Sequence, residues 1–173
     1  MTLLNALPRV DPETGAVLAV VETPRGSRNK YKYDVELKCI RLASVLPQGT
    51  VFPYDFGFVP STKAADGDPL DIMILMDEIA SAGCVISVRV IGAIEAEQRA
   101  KGGDWVRNDR LLGVSVQAHA HASIESIADI DPKLLEELEG FFEHYNRLHD
   151  KEFRVLERVG PKKALKLIEK VAV

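Results

Sequence analysis

Partway along this chain of 173 residues the hydrophobic pattern changes period, and that change limits the folds open to it. Before it, β-branched residues alternate or cluster between Gly, Pro, Asn and Asp, the pattern of short strands joined by turns. The spacing predicts strands over Ala16–Glu22, Tyr31–Val35, Cys39–Leu42, Asp71–Leu75, Val85–Glu97 and Arg110–Ala118. After it, Asp131 reads as an N-cap with Pro132 at the first helical position. Leu134, Leu135, Leu138, Phe141, Phe142, Tyr145 and Leu148 then share one helical face. A shorter helix is predicted from Pro161, packing Leu165, Ile168 and Val171. The fold class is therefore α+β and mainly β, either a small β-barrel with helices laid against it or an α+β sandwich. A single domain over 1–173 has enough interior to fold without disulfides.

Between two of these strands lies the segment richest in chemistry, Asp66-Gly67-Asp68-Pro69-Leu70-Asp71. Asp66 and Asp68 share parity in an extended chain and Asp71 does not, so the three carboxylates meet only if the backbone turns at Gly67 and Pro69. Two unit charges about 4 Å apart repel by about 4 kcal/mol at an effective dielectric near 20, so a fold that gathers them needs compensating cations. Hard oxygen donors suit Mg²⁺, Mn²⁺ or Ca²⁺ better than zinc. An EF-hand does not fit, because Asp71 falls where that loop requires glycine.

A formal net charge of −4 and a pI near 5.6 argue against a broad nucleic-acid or membrane surface. No segment has the length to span a bilayer, and Met1 to Pro8 lacks the pattern of a secretory signal, so a cytoplasmic location is expected. Cys39 and Cys84, far apart in sequence, read as reduced and partly buried thiols. His119 and His121 share a strand face but lack a third ligand close by in sequence, and Trp105 in its Gly-rich turn reads as a surface or subunit-contact side chain. Lys30, Arg41 and Arg110 sit on or beside predicted strands in apolar contexts, where a charge either snorkels outward or faces a polar cavity.

With these residues in place the chain resembles the soluble family I inorganic pyrophosphatases. The resemblance rests on the aspartate hexapeptide and on its surroundings: Val21-Glu22-Thr23-Pro24, Lys30-Tyr31, Arg41, Phe52-Pro53-Tyr54-Asp55-Phe56-Gly57-Phe58, Asp109-Arg110-Leu111-Leu112 and Phe141-Phe142-Glu143-His144-Tyr145. It implies an OB-like five-stranded β-barrel flanked by helices, and Mg²⁺-dependent hydrolysis of pyrophosphate with Mn²⁺ as a substitute ion. A homo-oligomer is also implied, a hexamer in bacterial members. By the same resemblance Asp66 and Asp71 match metal ligands, and Asp68 matches the carboxylate that takes a proton from the attacking water. Glu22 matches an acidic residue of the outer metal shell and is grouped with the substrate-binding side chains Lys30, Arg41, Arg110 and Tyr145.

Several positions depart from the family pattern. Lys32 replaces an acidic residue, Phe52 and Phe56 stand where tyrosines are common, Asn146 replaces a lysine, and Arg110 stands where lysine is more frequent. Gln98 and Asn108 align with two metal-binding aspartates, with Glu97 or Asp109 as the nearby acids able to serve instead; Asp109 is taken as a third metal ligand. Two other readings fit the same residues: a related phosphohydrolase acting on a nucleotide or another phosphoanhydride, and a non-catalytic OB-fold binding module.

Overall fold

The computed structural model describes residues 3–173; Met1 and Thr2, where the reading of the N-terminus begins, lie outside the described residues. Its strands are β1 (Val17–Thr23), β2 (Asn29–Asp34), β3 (Cys39–Val45), β4 (Asp55–Phe58), β5 (Asp71–Leu75), β6 (Val85–Ala100), β7 (Val106–Arg107) and β8 (Arg110–Ser115). Helix α1 (Pro132–Arg147), strand β9 (Lys151–Val159) and helix α2 (Pro161–Lys170) complete the chain. Among the described residues no helix is long and apolar enough to cross a membrane.

Five strands close on themselves. β1 pairs with β4, β4 with β5, β5 with β8, β8 with β6, and β6 returns to β1, so the ring has no free edge. All these pairings are antiparallel except β5–β8. The 16-residue β6 supplies the wall's continuity, with a register shift between Val90 and Gly92 that bends it between partners. Its far end pairs with β7 and β9 beyond the ring, and β2–β3 form a separate hairpin. Gly57 is required where β4 meets β1, because a Cβ there would stand 1.8 Å from the Val20 carbonyl oxygen.

Alternation along the strands gives the wall two apolar faces. Ile72, Ile74, Val88 and Leu111 pack with Ala164 and Ile168 of α2. Met73, Leu75, Ile91, Leu112 and Val114 pack with Leu135, Leu138 and Phe142 of α1. Helix α1 begins as its sequence requires, with the Asp131 carboxylate accepting from the Lys133 N–H at 2.8 Å and Pro132 in the first turn.

Several expectations are corrected. The apolar stripe of α1 is narrower than the spacing suggests, since Leu134 and Leu148 are exposed; Leu165 of α2 faces outward while Ala164 packs inward. Both cysteines are free and exposed rather than partly buried. The strand expected to reach Ala118 ends at Ser115, which places His119 and His121 on a turn where Asp77 accepts the backbone N–H groups of His119 and Ala120. The strands β4 and β9 were not expected.

Candidate active site

The turn that Gly67 makes possible, at φ +91°, sends the aspartates to one rim of the barrel. Asp66, Asp68 and Asp71 line a cavity of about 240 Å³ together with Lys30, Lys32, Arg110 and Tyr145. Phe52, Phe56 and Phe142 form its apolar wall, and Gln98, Asn108, His149 and Lys151 also line it. A larger cavity of about 570 Å³ adjoins it, lined by Glu22, Arg41, Lys63 and, again, Lys32, Asp68 and Asp71.

Each cation in the cavity is held differently. Lys30 is 6% exposed, with its ammonium 3.7 Å from Glu22 and 4.1 Å from the centre of the Phe56 ring. Burial pushes the Glu22 carboxyl above its ordinary range, opposed by the nearby Lys30 charge, and burial lowers Lys30, opposed by Glu22. Phenylalanines at 52 and 56 thus offer ring faces to a buried ammonium rather than hydroxyls to a ligand.

Arg110, its side chain 5% exposed, places Nη1 2.7 Å from Asp71 Oδ2 and donates from the same nitrogen to the Asn108 side chain and to the Asn108 and Asp109 carbonyls. The Phe142 ring lies 5.1 Å below its guanidinium. Lys32 by contrast is half-exposed and holds Asp68 at 2.7 Å. Tyr145 packs on Phe52 and His149, and burial pushes its phenol above the ordinary range, opposed by the nearby Arg110 charge.

The later segment divides by strand parity. Asn108 and Arg110 face the cavity; Asp109, between them, faces the other side, where it accepts from the Ala96 N–H at 3.0 Å and from Arg107 at 2.8 Å. There it lines a separate cavity of about 450 Å³ with Glu95, Arg107 and Lys163. Asp109 is therefore not brought to Asp66 and Asp71. Glu97 is likewise turned away and paired with Arg154 at 2.7 Å, leaving Gln98 in the cavity. Arg41 reaches only the larger cavity, exposed and paired with Asp34 at 3.2 Å. Asn146 is buried and donates to the Phe142 carbonyl within α1. Trp105 lies between the Arg99 and Arg154 guanidinium groups, at 4.4 and 4.1 Å, away from the cavity.

Lys151 carries no signal in the sequence, and His149, five residues from His144 and so off the helical i,i+4 spacing, reads as no site; both join the cavity only when β9 folds back beside α1. The segment is charged and lacks clean alternation.

Among the described residues no group of three His, Cys, Asp or Glu side chains already converges on one point, since Arg110 and Lys32 draw Asp71 and Asp68 to themselves. The donor set nevertheless fits a hard divalent cation. Asp66 and Asp71 share the cavity, and the Asp66 carboxyl is pushed up by burial and then by Asp71 and Asp68 nearby, an excess of negative charge that such an ion relieves.

A closed five-strand barrel carrying carboxylates and fixed cations in one polar cavity defines a protein that handles a small, densely charged anion. The sequence model described as Pyrophosphatase: Inorganic pyrophosphatase matches residues 19–173, and the chain belongs to that family of phosphoanhydride hydrolases, whose barrel is OB-like. The inorganic pyrophosphatase of Synechocystis is 38% identical over 153 residues, spanning 88% of this chain and 87% of the relative. That of Thermus thermophilus is 39% identical over 160 residues, 92% and 89% of the two chains. The crystal structure of the inorganic pyrophosphatase from Thermus thermophilus superimposes with a TM-score of 0.88, covering 98% of this chain and 97% of that one at 35% identity.

Proposed function

We propose that this chain hydrolyses inorganic pyrophosphate to two phosphates, with Mg²⁺ as the ion and Mn²⁺ as a substitute, and that Asp66, Asp68 and Asp71 are central to it. The observation that carries this reading is the gathering of those three carboxylates with Lys30, Arg110 and Tyr145 around one cavity. Asp66 and Asp71 would hold divalent ions, as in two-metal hydrolysis, which when bound supply neutralisation of phosphate charge and acidification of water. Asp109, on the opposite face, is left out of this ligand set.

In the reaction a water oxygen forms a bond to one phosphorus as the bridging P–O bond breaks. Asp68 accepts the proton of the attacking water and the leaving phosphate carries away the electron pair. Arg110 and Lys30 stabilise the charge that builds on the phosphoryl oxygens, and the Tyr145 hydroxyl donates to one of them. Glu22 keeps Lys30 charged and in place, and Arg41 stands at the mouth of the adjoining cavity. We place the reaction in the cytoplasm, which suits two exposed free thiols, in a homo-oligomer, hexameric if the chain is bacterial.

Phosphate release with Mg²⁺ from pyrophosphate, tripolyphosphate and nucleoside triphosphates tests the reading. Preference for pyrophosphate is expected. Preference for a nucleotide identifies a related phosphohydrolase, and no release from any substrate identifies a binding module.

A further inference from the structure

We infer that Lys32 is a ligand for the phosphoanhydride substrate, kept by Asp68 until the substrate takes it; this rests on the hydrolytic reading above. Lys30 and Lys32 are two residues apart on β2, so both point from one face of the hairpin toward the aspartates. They differ in freedom. The Lys30 side chain is 8% exposed and confined by Glu22 and the Phe56 ring, whereas that of Lys32 is 49% exposed and pairs with Asp68, itself 55% exposed.

A salt bridge this open to water has little net stability, and it breaks readily when a better partner arrives. Pyrophosphate carries several negative charges on clustered oxygens and outcompetes a single carboxylate for an ammonium group. The location makes that exchange direct. Lys32 and Asp68, like Asp71, line both the 240 Å³ cavity and the 570 Å³ cavity, so their bridge lies at the boundary between the two. An anion settling beside Asp71 meets the Lys32 ammonium at this boundary, and transfer of the ammonium leaves Asp68 unpaired next to the attacking water. Substrate binding and the release of the proton acceptor are then one event.

The test is a binding cycle with imidodiphosphate, a non-hydrolysable pyrophosphate analogue, measured by calorimetry with Mg²⁺ on the full chain and on Lys32→Met, Asp68→Asn and the double variant. Removing a charged hydrogen bond to the anion weakens binding about tenfold. That loss is expected on adding Lys32→Met to the wild type and, at least as large, on adding it to Asp68→Asn. A loss under twofold in the Asp68→Asn background overturns the inference, since Lys32 then acts only by holding Asp68. Lys32→Arg keeps most of the affinity if the charge is what matters; an Arg variant as weak as the Met variant also overturns it. Because the readout is binding, failure of the hydrolytic reading is separate: a wild type that binds the analogue through Lys32 yet releases no phosphate from pyrophosphate contradicts that reading alone.

Discussion

Arg110 Nη1 lies 2.7 Å from Asp71 Oδ2, while the Arg110 Nε is buried with no hydrogen-bond partner among the described residues. One nitrogen of the guanidinium is thus saturated by protein, while Nε is enclosed with its donor unmet. A buried donor of this kind is costly unless a ligand meets it.

Arg110→Met should lower kcat/KM for pyrophosphate about 100-fold, in line with the roughly 1.5–3 kcal/mol typical of hydrogen bonds to charged groups. Arg110→Lys should fall between the two, because one ammonium cannot serve Asp71, the Asn108 side chain and an oxyanion together. Steady-state kinetics of both variants checks this; a wild-type value for Arg110→Met would remove Arg110 from the account.

The Lys30–Glu22 pair is buried on both sides. Lys30→Met strands a carboxylate and should cost about 3–5 kcal/mol in urea unfolding, while Lys30→Met with Glu22→Gln should recover most of it. The pH dependence has a definite sign. Burial raises the Glu22 carboxyl above its ordinary 4.5, so its folded form prefers the proton; the resulting stability is full below 4.5 and is lost as pH rises through the folded value. The deficit of Lys30→Met should therefore shrink as the pH falls toward 4.5, and a deficit constant with pH would show that Glu22 is not the stranded group.

Gly57→Ala should be among the most destabilising single substitutions, since the new methyl meets the Val20 carbonyl oxygen at 1.8 Å where β4 and β1 close the ring. A loss of about 3 kcal/mol or more is expected, at or beyond the usual range for overpacking, because the obstacle is backbone. Thermal unfolding of the variant measures it, and a change under about 1 kcal/mol would mean the ring closes otherwise.

Local signals in the sequence carried much of this fold. Helix α1 was legible because Asp131-Pro132 and the apolar spacing are properties of the segment itself. Strand β5 was legible for the same reason, as an apolar run opened by Asp71. Strand β4 was hidden: its four residues start two places after Pro53 and include Gly57, too short a run to show a strand period, and only β1 and β5 on either side make them a strand. Strand β9 owes its state to pairing with β6, a contact distant in sequence, and its ion pairs with Glu97 and Arg99 replace the apolar alternation that marks a strand. The side on which Asp109 falls was available from parity, since Asn108 and Arg110 flank it and share the other face. Lys32 was visible as a misplaced cation, but its partner Asp68 lies 36 residues on and is found only in three dimensions.

In the proposed reaction Asp68 accepts the proton of the water that cleaves pyrophosphate. Phosphate release by Asp68→Asn, beside the wild type at saturating Mg²⁺ and pyrophosphate, tests it most directly. General-base assistance is worth about 10²–10⁴ in rate, so turnover should drop by at least about 100-fold while the unfolding temperature stays near that of the wild type. Turnover within a few-fold of the wild type would contradict the assignment.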